Sequence, residues 1–243
     1  MRTLRYQEVA GDLRRQLEAD ELAAGRLLPS EADLSARYKA SRVTVRRALD
    51  LLRDEGLVDS RQGFGWFVAA DPLRQPLVRL ATIEGQLAES GLSSERMILE
   101  FGVVPAPPRA RQVLGVETVL RVTRLNLADG EPFARVTVWC PEELAAGLTR
   151  EQVTERSFYD VLDVEVGGAT QTIGAAAASP EDAALLAIPK RSPVLVCERV
   201  TSDETGAPVL VGVYVFPAHR TEFIVDLPRA EASIAPSGLR LVD

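Results

Sequence analysis

Two short helical segments with a very tight connection between them constrain this chain more than any other feature of its sequence. Ser30 is a suitable N-cap for a helix at about 31–37, and Asp33 stands three residues later, as in a capping box. Residues 38–40 separate this helix from a second one at about 42–54, for which Ser41 is the N-cap. Gly56 is then expected to end the second helix in a left-handed conformation.

The segments on either side extend this pattern. Apolar residues recur at helical spacing over 5–20 and predict an amphipathic first helix. After the second short helix come two short strands, at 57–60 and 66–69, with a glycine-containing turn at 61–65. Helix, helix, tight turn, helix and hairpin is the order of a winged helix-turn-helix.

The charge distribution favours DNA as the partner of this region. The whole chain has a net charge of −7, yet residues 34–49 contain no acidic residue. Five basic residues lie in that stretch: Arg37, Lys39, Arg42, Arg46 and Arg47. A local basic face on a mildly acidic protein suits double-stranded DNA, whereas an ordinary solvated helix face would intersperse Glu and Asp.

The helix at 42–54 has one face for packing and one for reading DNA. Its apolar face is formed by Val45, Ala48, Leu49 and Leu52. Recognition helices place their N-terminal residues and outer face in the major groove, where arginine can bond guanine in bidentate fashion. The residues expected to contact DNA are Ser41, Arg42, Thr44, Arg46 and Arg47, with Gly63 and Gly65 at the hairpin tip.

A proline-containing linker at 70–76 precedes a region of mixed helix and strand. Strands are predicted near 96–104, 119–127, 132–139, 165–178, 193–202 and 208–216. Helices are predicted near 80–90, 109–115, 142–146, 158–163 and 180–187. Consecutive strands joined by tight turns, such as 128–130 and 203–206, predict an antiparallel α+β domain.

Other features of the sequence narrow the chemistry. The chain lacks an apolar stretch of transmembrane length and a signal-peptide pattern, so we expect a cytoplasmic protein without a membrane partner. Cys140 and Cys197 are then expected to be free, buried thiols. His219 is the single histidine, and with no Cys/His cluster we expect neither a metal site nor a cofactor.

The N-terminal motifs resemble the DNA-binding domain of the GntR family. The matching runs are 28–31 (LPSE), 41–49 (SRVTVRRAL), 55–58 (EGLV) and 62–68 (QGFGWFV). The resemblance implies DNA contacts by Ser41, Arg42, Thr44 and Arg46, and by the wing glycine that matches Gly63 or Gly65. Ala32 departs from the pattern, since many members have a DNA-contacting arginine there. Phe64 and Trp66 also differ, and we expect them to pack within the wing.

The second region resembles the UTRA domain of the HutC-like subfamily. The matching runs are 87–91 (LAESG), 121–132 (RVTRLNLADGEP), 157–162 (SFYDVL) and 206–209 (GAPV). The resemblance implies a chorismate lyase-like fold that binds a small molecule between sheet and helices and forms a homodimer. The expected divisions are a DNA-binding domain at 1–69, a linker at 70–77, an effector domain at 78–234 and a tail at 235–243.

The resemblance also points to effector-binding residues. Arg124, Ser157 and Tyr159 match positions that grip an anionic group in phosphosugar-sensing relatives, and arginine with hydroxyl donors suits such a group. Asn126 stands where those relatives have a second arginine, and Leu210 where a glutamate is frequent. We therefore expect a less charged effector site formed by Arg124, Asn126, Ser157 and Tyr159.

Three functions remain compatible with the sequence. The leading expectation is a ligand-responsive repressor that binds a palindromic operator as a homodimer. A second is a DNA-binding protein whose C-terminal domain only dimerises. A third is a chorismate lyase-like enzyme fused to a DNA-binding domain, although the chain offers no recognisable catalytic set and only one histidine.

Overall fold

The computed structural model of the chain describes residues 4–18, 26–61, 65–69, 73–76 and 93–225. Its N-terminal region has the expected order of three helices and a two-stranded antiparallel hairpin. These elements are α1 (Arg5–Glu18), α2 (Glu31–Tyr38), α3 (Arg42–Asp54), β1 (Val58–Arg61) and β2 (Gly65–Val68). The prediction of a winged helix-turn-helix is confirmed.

Local hydrogen bonds explain where α2 and α3 begin. The Ser30 hydroxyl accepts from the backbone N–H of Asp33, and the Asp33 carboxylate accepts from the backbone N–H of Ser30. Ser41 accepts in the same way from the backbone N–H of Thr44. Between the helices, Lys39 adopts a left-handed conformation with φ of 46°, which ends α2 after eight residues. Both predicted N-caps are confirmed.

The N-terminal region has its own hydrophobic core. The four apolar residues predicted for the inner face of α3 are all buried there: Val45, Ala48, Leu49 and Leu52. They pack with Val9 and Leu13 of α1, Leu34 of α2 and Trp66 of the hairpin. Burial of several such side chains, at about 1.5–3 kcal/mol each, is what holds α3 against the other elements.

The C-terminal region is built on one six-stranded antiparallel sheet with the order β4-β5-β6-β9-β8-β7. Its strands are β4 (Ser94–Pro105), β5 (Thr118–Ala128), β6 (Glu131–Pro141), β7 (Val166–Ala177), β8 (Pro193–Asp203) and β9 (Pro208–Pro217). Its helices are α4 (Pro108–Leu114), α5 (Arg150–Glu155), α6 (Phe158–Val161) and α7 (Pro180–Leu185). The expected antiparallel α+β class is confirmed.

The two faces of this sheet have separate cores. The face that carries Arg124, Tyr214 and Arg199, called the site face below, packs against Val153 of α5 and Phe158 of α6. The opposite face packs against Ala183 of α7 and other apolar residues. Because directly paired residues on neighbouring strands point to the same side, the strand register determines which side chains share the site face.

Some predicted elements differ from the structure. Residues 142–147 form successive turns and not the predicted helix, and Gly147 closes them with φ of 89°. Helix α5 was not predicted, although Thr149 and Gln152 form a capping box at its start. The helix predicted at 80–90 and the tail at 235–243 lie outside the described residues.

A second, two-stranded sheet joins the expected linker to the end of the C-terminal region. Residues Leu73–Pro76 form β3, which pairs in parallel with β10 (Thr221–Ile224). The segment predicted to be an irregular linker thus contains a strand. Since its partner lies about 150 positions later in the chain, local sequence patterns do not reveal this pairing.

The two regions also contact one another near this small sheet. The Arg61 guanidinium of β1 donates to the carbonyl oxygen of Ala218 at 2.8 Å. The ring of Phe67 lies 5.5 Å from the imidazole of His219, which is only 4% exposed. Leu27 packs against the core on the opposite face of the large sheet. No described helix is both long and apolar enough to cross a membrane.

Candidate DNA-binding surface and effector site

The outer face of α3 displays the basic residues predicted to contact DNA. Arg42, Arg46 and Arg47 are exposed, and Thr44 in the first turn is partly exposed. Because Val45, Ala48, Leu49 and Leu52 of the same helix are fully buried, the orientation of this basic face is fixed by the core. The helix can therefore present these side chains to a ligand without rearranging.

Arg46 is held by a carboxylate from the neighbouring helix. Its Nε and Nη2 donate to the two carboxylate oxygens of Glu31 at 2.9 and 2.7 Å. Trp66 Nε1 also donates to Glu31 at 3.2 Å. These contacts, the one from Arg46 first, hold the pKa of Glu31 below its usual value, so the carboxylate is charged at neutral pH.

The other arginines of α3 have different partners. The Arg47 guanidinium lies 4.3 Å from the centre of the Tyr6 ring on α1, a cation–π contact. Arg53, in the last turn, pairs with Asp50 and lies over the Trp66 ring at 5.4 Å. Trp66 itself is buried, but it packs in the core that the hairpin shares with the three helices, and not within the wing alone as was expected. Phe64 lies outside the described residues.

Ser41 and Thr44 contact each other at the start of α3. Their hydroxyl oxygens are 2.8 Å apart, and the Ser41 oxygen also accepts from the Thr44 backbone. Each hydroxyl can still exchange one of these bonds for a phosphate oxygen, because a hydroxyl both donates and accepts. Their place at the N-terminus of a helix, where N–H dipoles point outward, also suits an anion.

The hairpin contributes one described glycine and one arginine. Gly65 has φ of 91°, a backbone conformation that residues other than glycine rarely adopt, and a Cβ added there would meet open space. Gly63 lies outside the described residues. Arg61 is directed to the carbonyl of Ala218 in the C-terminal region, as described above.

Two predicted effector residues lie side by side on the site face. Arg124 and Asn126 are alternate residues of β5 and are 7% and 0% exposed. In the sheet, Arg124 is opposite Val136 of β6, which is in turn opposite Tyr214 of β9. The register therefore brings Arg124, Asn126 and Tyr214 to one side of the sheet.

The other two predicted effector residues lie on the helical layer over this face. Ser157 caps α6. Its hydroxyl accepts from the backbone N–H of Tyr159, and the Asp160 carboxylate accepts from the backbone N–H of Ser157. The Tyr159 hydroxyl accepts from Arg199 Nη1 at 3.3 Å. Ser157 therefore has a clear structural role, and Tyr159 links α6 to strand β8.

Arg199 is a functional candidate that the sequence did not single out. Its Nε donates to Gln171 at 2.8 Å, and its guanidinium lies 5.1 Å from the centre of the Tyr214 ring. The Tyr214 ring in turn covers Gly212, where an added Cβ would lie 2.9 Å from the ring. Glycine at 212 thus makes room for the aromatic ring beside Arg199.

Both cysteines of the chain lie in the core on the site face of the sheet. Cys140 and Cys197 are both free and buried, as expected, and burial raises the pKa of each thiol to about 12. Among the described residues, no group of histidine, cysteine, aspartate or glutamate could hold a metal ion. The site face therefore offers binding groups, namely guanidinium, amide, hydroxyl and aromatic ring.

Two family profiles match the chain. The profile of the bacterial regulatory proteins of the gntR family matches residues 5–68, and the UTRA domain profile matches residues 89–222, more than half of the chain. The chain belongs to the GntR family. Its pairing of a GntR DNA-binding domain with a UTRA domain is that of the HutC-like subfamily.

Named transcription regulators match this GntR protein along most of their length. The HTH-type transcriptional regulator Rv0792c of Mycobacterium tuberculosis is 36% identical over 230 residues, which cover 91% of this chain and 85% of the relative. The HTH-type transcriptional repressor NagR of Bacillus subtilis is 28% identical, with 90% and 93% covered. The prediction that the chain is a transcription regulator and not an enzyme is confirmed by this kinship.

A solved structure supports the fold. The crystal structure of PhnF from Mycobacterium smegmatis superimposes with a TM-score of 0.61 and 24% identity, covering 91% of this chain and all of that one. At this identity the likeness concerns the fold alone. It confirms a winged helix-turn-helix followed by a UTRA-type antiparallel sheet.

The GntR protein differs from the sequence expectation chiefly in its effector region. Arg199 was missed because its place on the site face depends on the pairing of β8 with β7 and β9. The signal in the sequence is weak: a charged residue in phase with Leu195 and Cys197, which alternate toward the core. Glu31 belongs to the LPSE motif, but its contact with Arg46 depends on the packing of α2 against α3, which the motif does not show.

Proposed function

We propose that this GntR regulator is a homodimeric repressor that binds a palindromic operator and is controlled by a small anionic effector in its UTRA domain. Repression is suggested by relatives such as NagR, whose name states that activity. A two-fold dimer would carry two copies of α3 and would read half-sites about one helical turn apart.

The observation that carries the DNA-binding part is the basic outer face of α3. We assign DNA contacts to Ser41, Arg42, Thr44, Arg46 and Arg47, with Gly63 and Gly65 at the wing. The support is that this face is exposed and basic while the inner face is buried. The N-terminal residues of a recognition helix are the ones that contact base edges in the major groove.

The contact between Arg46 and Glu31 supports a specific role for Arg46. Glu31 engages the edge of the guanidinium formed by Nε and Nη2. The planar group has a second edge, formed by Nη1 and Nη2, whose N–H groups match the O6 and N7 acceptors of guanine. In this proposal Glu31 is a positioning residue that fixes the arginine before DNA arrives.

In the UTRA domain we propose that Arg124, Asn126, Ser157 and Tyr159 contact the effector. Their support is a shared location: the first two lie on the site face, and the other two lie on the helical layer over it. The Ser157 hydroxyl accepts a backbone hydrogen bond, but its own proton remains able to donate. Arginine with neighbouring donors favours a phosphate or carboxylate group.

We also propose the domain boundaries. The DNA-binding domain occupies 1–69, a connecting segment 70–77, the UTRA domain 78–234 and a tail 235–243. The profile matches at 5–68 and 89–222 are consistent with these limits. The pairing of β3 with β10 suggests that the connecting segment is tied to the UTRA domain and is not a free tether.

Selection of genomic fragments by the full-length protein tests the proposed function. We expect enrichment of one sequence with dyad symmetry, and footprinting should protect two half-sites about one helical turn apart. A small molecule retained through native purification should then shift operator affinity. An asymmetric footprint would contradict the symmetric dimer, and a retained molecule without effect on DNA would favour a purely dimerising UTRA domain.

A further inference from the structure

The two faces of the UTRA sheet treat their arginines in opposite ways. On the opposite face, three arginines pair with carboxylates: Arg121 with Glu100, Arg135 with Asp182, and Arg109 of α4 with Glu198. On the site face, the partners of Arg199 among the described residues are an amide, a phenol hydroxyl and an aromatic ring. Within the described residues, Arg199 therefore has a cationic group surrounded by neutral partners.

The strand register shows that this difference extends beyond one residue. Three successive rows of paired residues cross the site face, and none contains an aspartate or glutamate. They are Arg96, Asn126 and Ala134; Ile98, Arg124, Val136, Tyr214, Cys197 and Ile173; and Phe101, Val122, Val138, Gly212, Arg199 and Gln171. The acids of these strands lie in other rows, as Glu95, Glu100 and Glu198 do, or at the strand ends, as Glu131 and Asp203 do.

A partly buried arginine without an acid partner favours an anionic ligand. Taking a guanidinium out of water is costly unless an opposite charge compensates it, and neutral hydrogen bonds compensate only in part. On the opposite face, carboxylates compensate three arginines, whereas the described partners of Arg199 are all neutral. The neutral surroundings of Arg199 therefore suit a negative group that the described residues do not provide.

We propose that Arg199 is a second anion-binding residue of the effector site, separated from Arg124 by the ring of Tyr214. The inference rests on the proposed function, because it places this residue in the same effector site. The strand spacing and residue rise put the Cα atoms of Arg124 and Arg199 roughly 16 Å apart, a gap that two long side chains can shorten from both ends. The effector is thus a small molecule with an acidic group at Arg199, an apolar or flat part over Tyr214, and a second acceptor toward Arg124.

Arg199 compensates for the positive charge that the sequence predicts to be missing at Asn126. Asn126 stands where phosphosugar-sensing relatives were expected to have a second arginine. Arg199 returns a positive charge to the same face, but three strands away from β5. The site is therefore as cationic as expected for an anion sensor, with its charges spread over a longer distance.

Calorimetric titration of the full-length protein with inorganic phosphate, at constant ionic strength, tests the proposal. The wild type should bind phosphate, and Arg199→Gln should weaken this binding at least tenfold. Arg199→Lys, which keeps the charge, should retain more binding than Arg199→Gln. The matched control is Arg109→Gln on the opposite face, which should bind as the wild type does. Arg42→Gln on α3 serves a different purpose, because it shows whether phosphate binds at the DNA surface instead.

The outcomes separate this inference from the proposed function. If Arg124→Gln abolishes phosphate binding while Arg199→Gln retains it, the role of Arg199 is wrong and the effector site at Arg124 stands. If Arg42→Gln removes the binding, phosphate was reporting the DNA surface and the inference is also wrong. A wild type that does not bind phosphate contradicts both anion-binding residues, whereas operator selection tests DNA recognition independently. Equal melting temperatures of the Arg199 variants would confirm that lost binding is not lost folding.

Discussion

Arginine provides the positive charge in both regions that are proposed to bind ligands, but the two regions hold it differently. On α3, the Arg46 side chain is 65% exposed, so it can bind DNA while it remains paired with Glu31. On the UTRA sheet, Arg124 is 7% exposed and Arg199 lies among neutral groups. Exposed charge suits a reversible, salt-sensitive encounter with a polyanion, whereas enclosed charge suits selection of one small anion.

The largest expected effect concerns salt and the exposed region. If the basic residues of α3 on two subunits contact phosphates, binding releases several counterions. Operator affinity should then fall by about three orders of magnitude or more between roughly 50 and 200 mM salt. Fluorescence anisotropy at several salt concentrations measures the slope. A nearly flat response would mean that the basic run is only a solvated helix face, and the comparison would fail.

The second prediction concerns a buried ion pair. The side chains of Arg135 and Asp182 are 18% and 13% exposed, and Arg135 also donates to Thr137. Arg135→Ala leaves Asp182 without its partner in a poorly solvated place and should cost about 2–4 kcal/mol of unfolding free energy. Calorimetric melting should show a clear decrease.

Arg109→Ala is the matched control, because Arg109 pairs with Glu198 on the same face but is more than half exposed. It should cost less than about 1 kcal/mol. Equal losses in the two variants would show that burial does not separate these arginines.

The third prediction separates stability from DNA recognition. Arg46→Ala should leave the melting temperature almost unchanged, since the side chain is exposed, but it should cost about 1–3 kcal/mol of operator binding and relax base preference. Arg53→Ala is the control, because Arg53 lies in the last turn of α3 beside Asp50. Affinities of both variants for the selected operator decide the matter, and wild-type behaviour of Arg46→Ala would remove its assigned role.

The smallest expected effect concerns Glu31. Glu31→Gln removes a negative charge near DNA and also the group that orients Arg46. Non-specific affinity should therefore stay the same or rise, while operator affinity falls by about 0.5–1.5 kcal/mol. Glu55→Gln breaks a comparable pair with Arg14, and it should leave the ratio of operator affinity to non-specific affinity unchanged. If both affinities of Glu31→Gln rise together, Glu31 acts only as a charge.

The pH dependence of that contact has a definite sign. The pKa of Glu31 is lower in the folded protein than its usual value, chiefly because Arg46 donates to it. Its stabilising contribution is therefore complete above the usual pKa and is lost as the pH falls through the lowered one. Recognition by Arg46 should thus be insensitive to pH near neutrality.

Local signals made the DNA-binding region more predictable than the UTRA domain. The limits of α2 and α3 followed from Ser30 and Ser41, because a cap and its partner lie three residues apart. Hairpins followed from turns such as Asp129 and Gly130, which both adopt positive φ. These features depend on neighbours in the chain, and sequence patterns record neighbours.

The effector region depends on contacts between distant residues. Arg199 meets Gln171 and Tyr159, which lie 28 and 40 positions away in the sequence. The strand pattern shows that Arg199 lies on the same face of β8 as Leu195, but it does not show which strands lie beside β8. The helix predicted near 142–146 is a run of turns in the structure, although Leu144 and its alanine neighbours have high helix propensity.

The contact between Phe67 and His219 gives this protein a built-in spectroscopic probe. The chain contains a single histidine, and that imidazole lies at the meeting point of the wing and the UTRA domain. An NMR spectrum of the imidazole protons would therefore show one residue's signals without isotope labelling of other sites. Ring current from Phe67 should displace those signals while the two domains touch, and the displacement should disappear when they separate. The shift of one resonance would then report, in solution, whether operator or effector changes the contact between the reading and sensing halves.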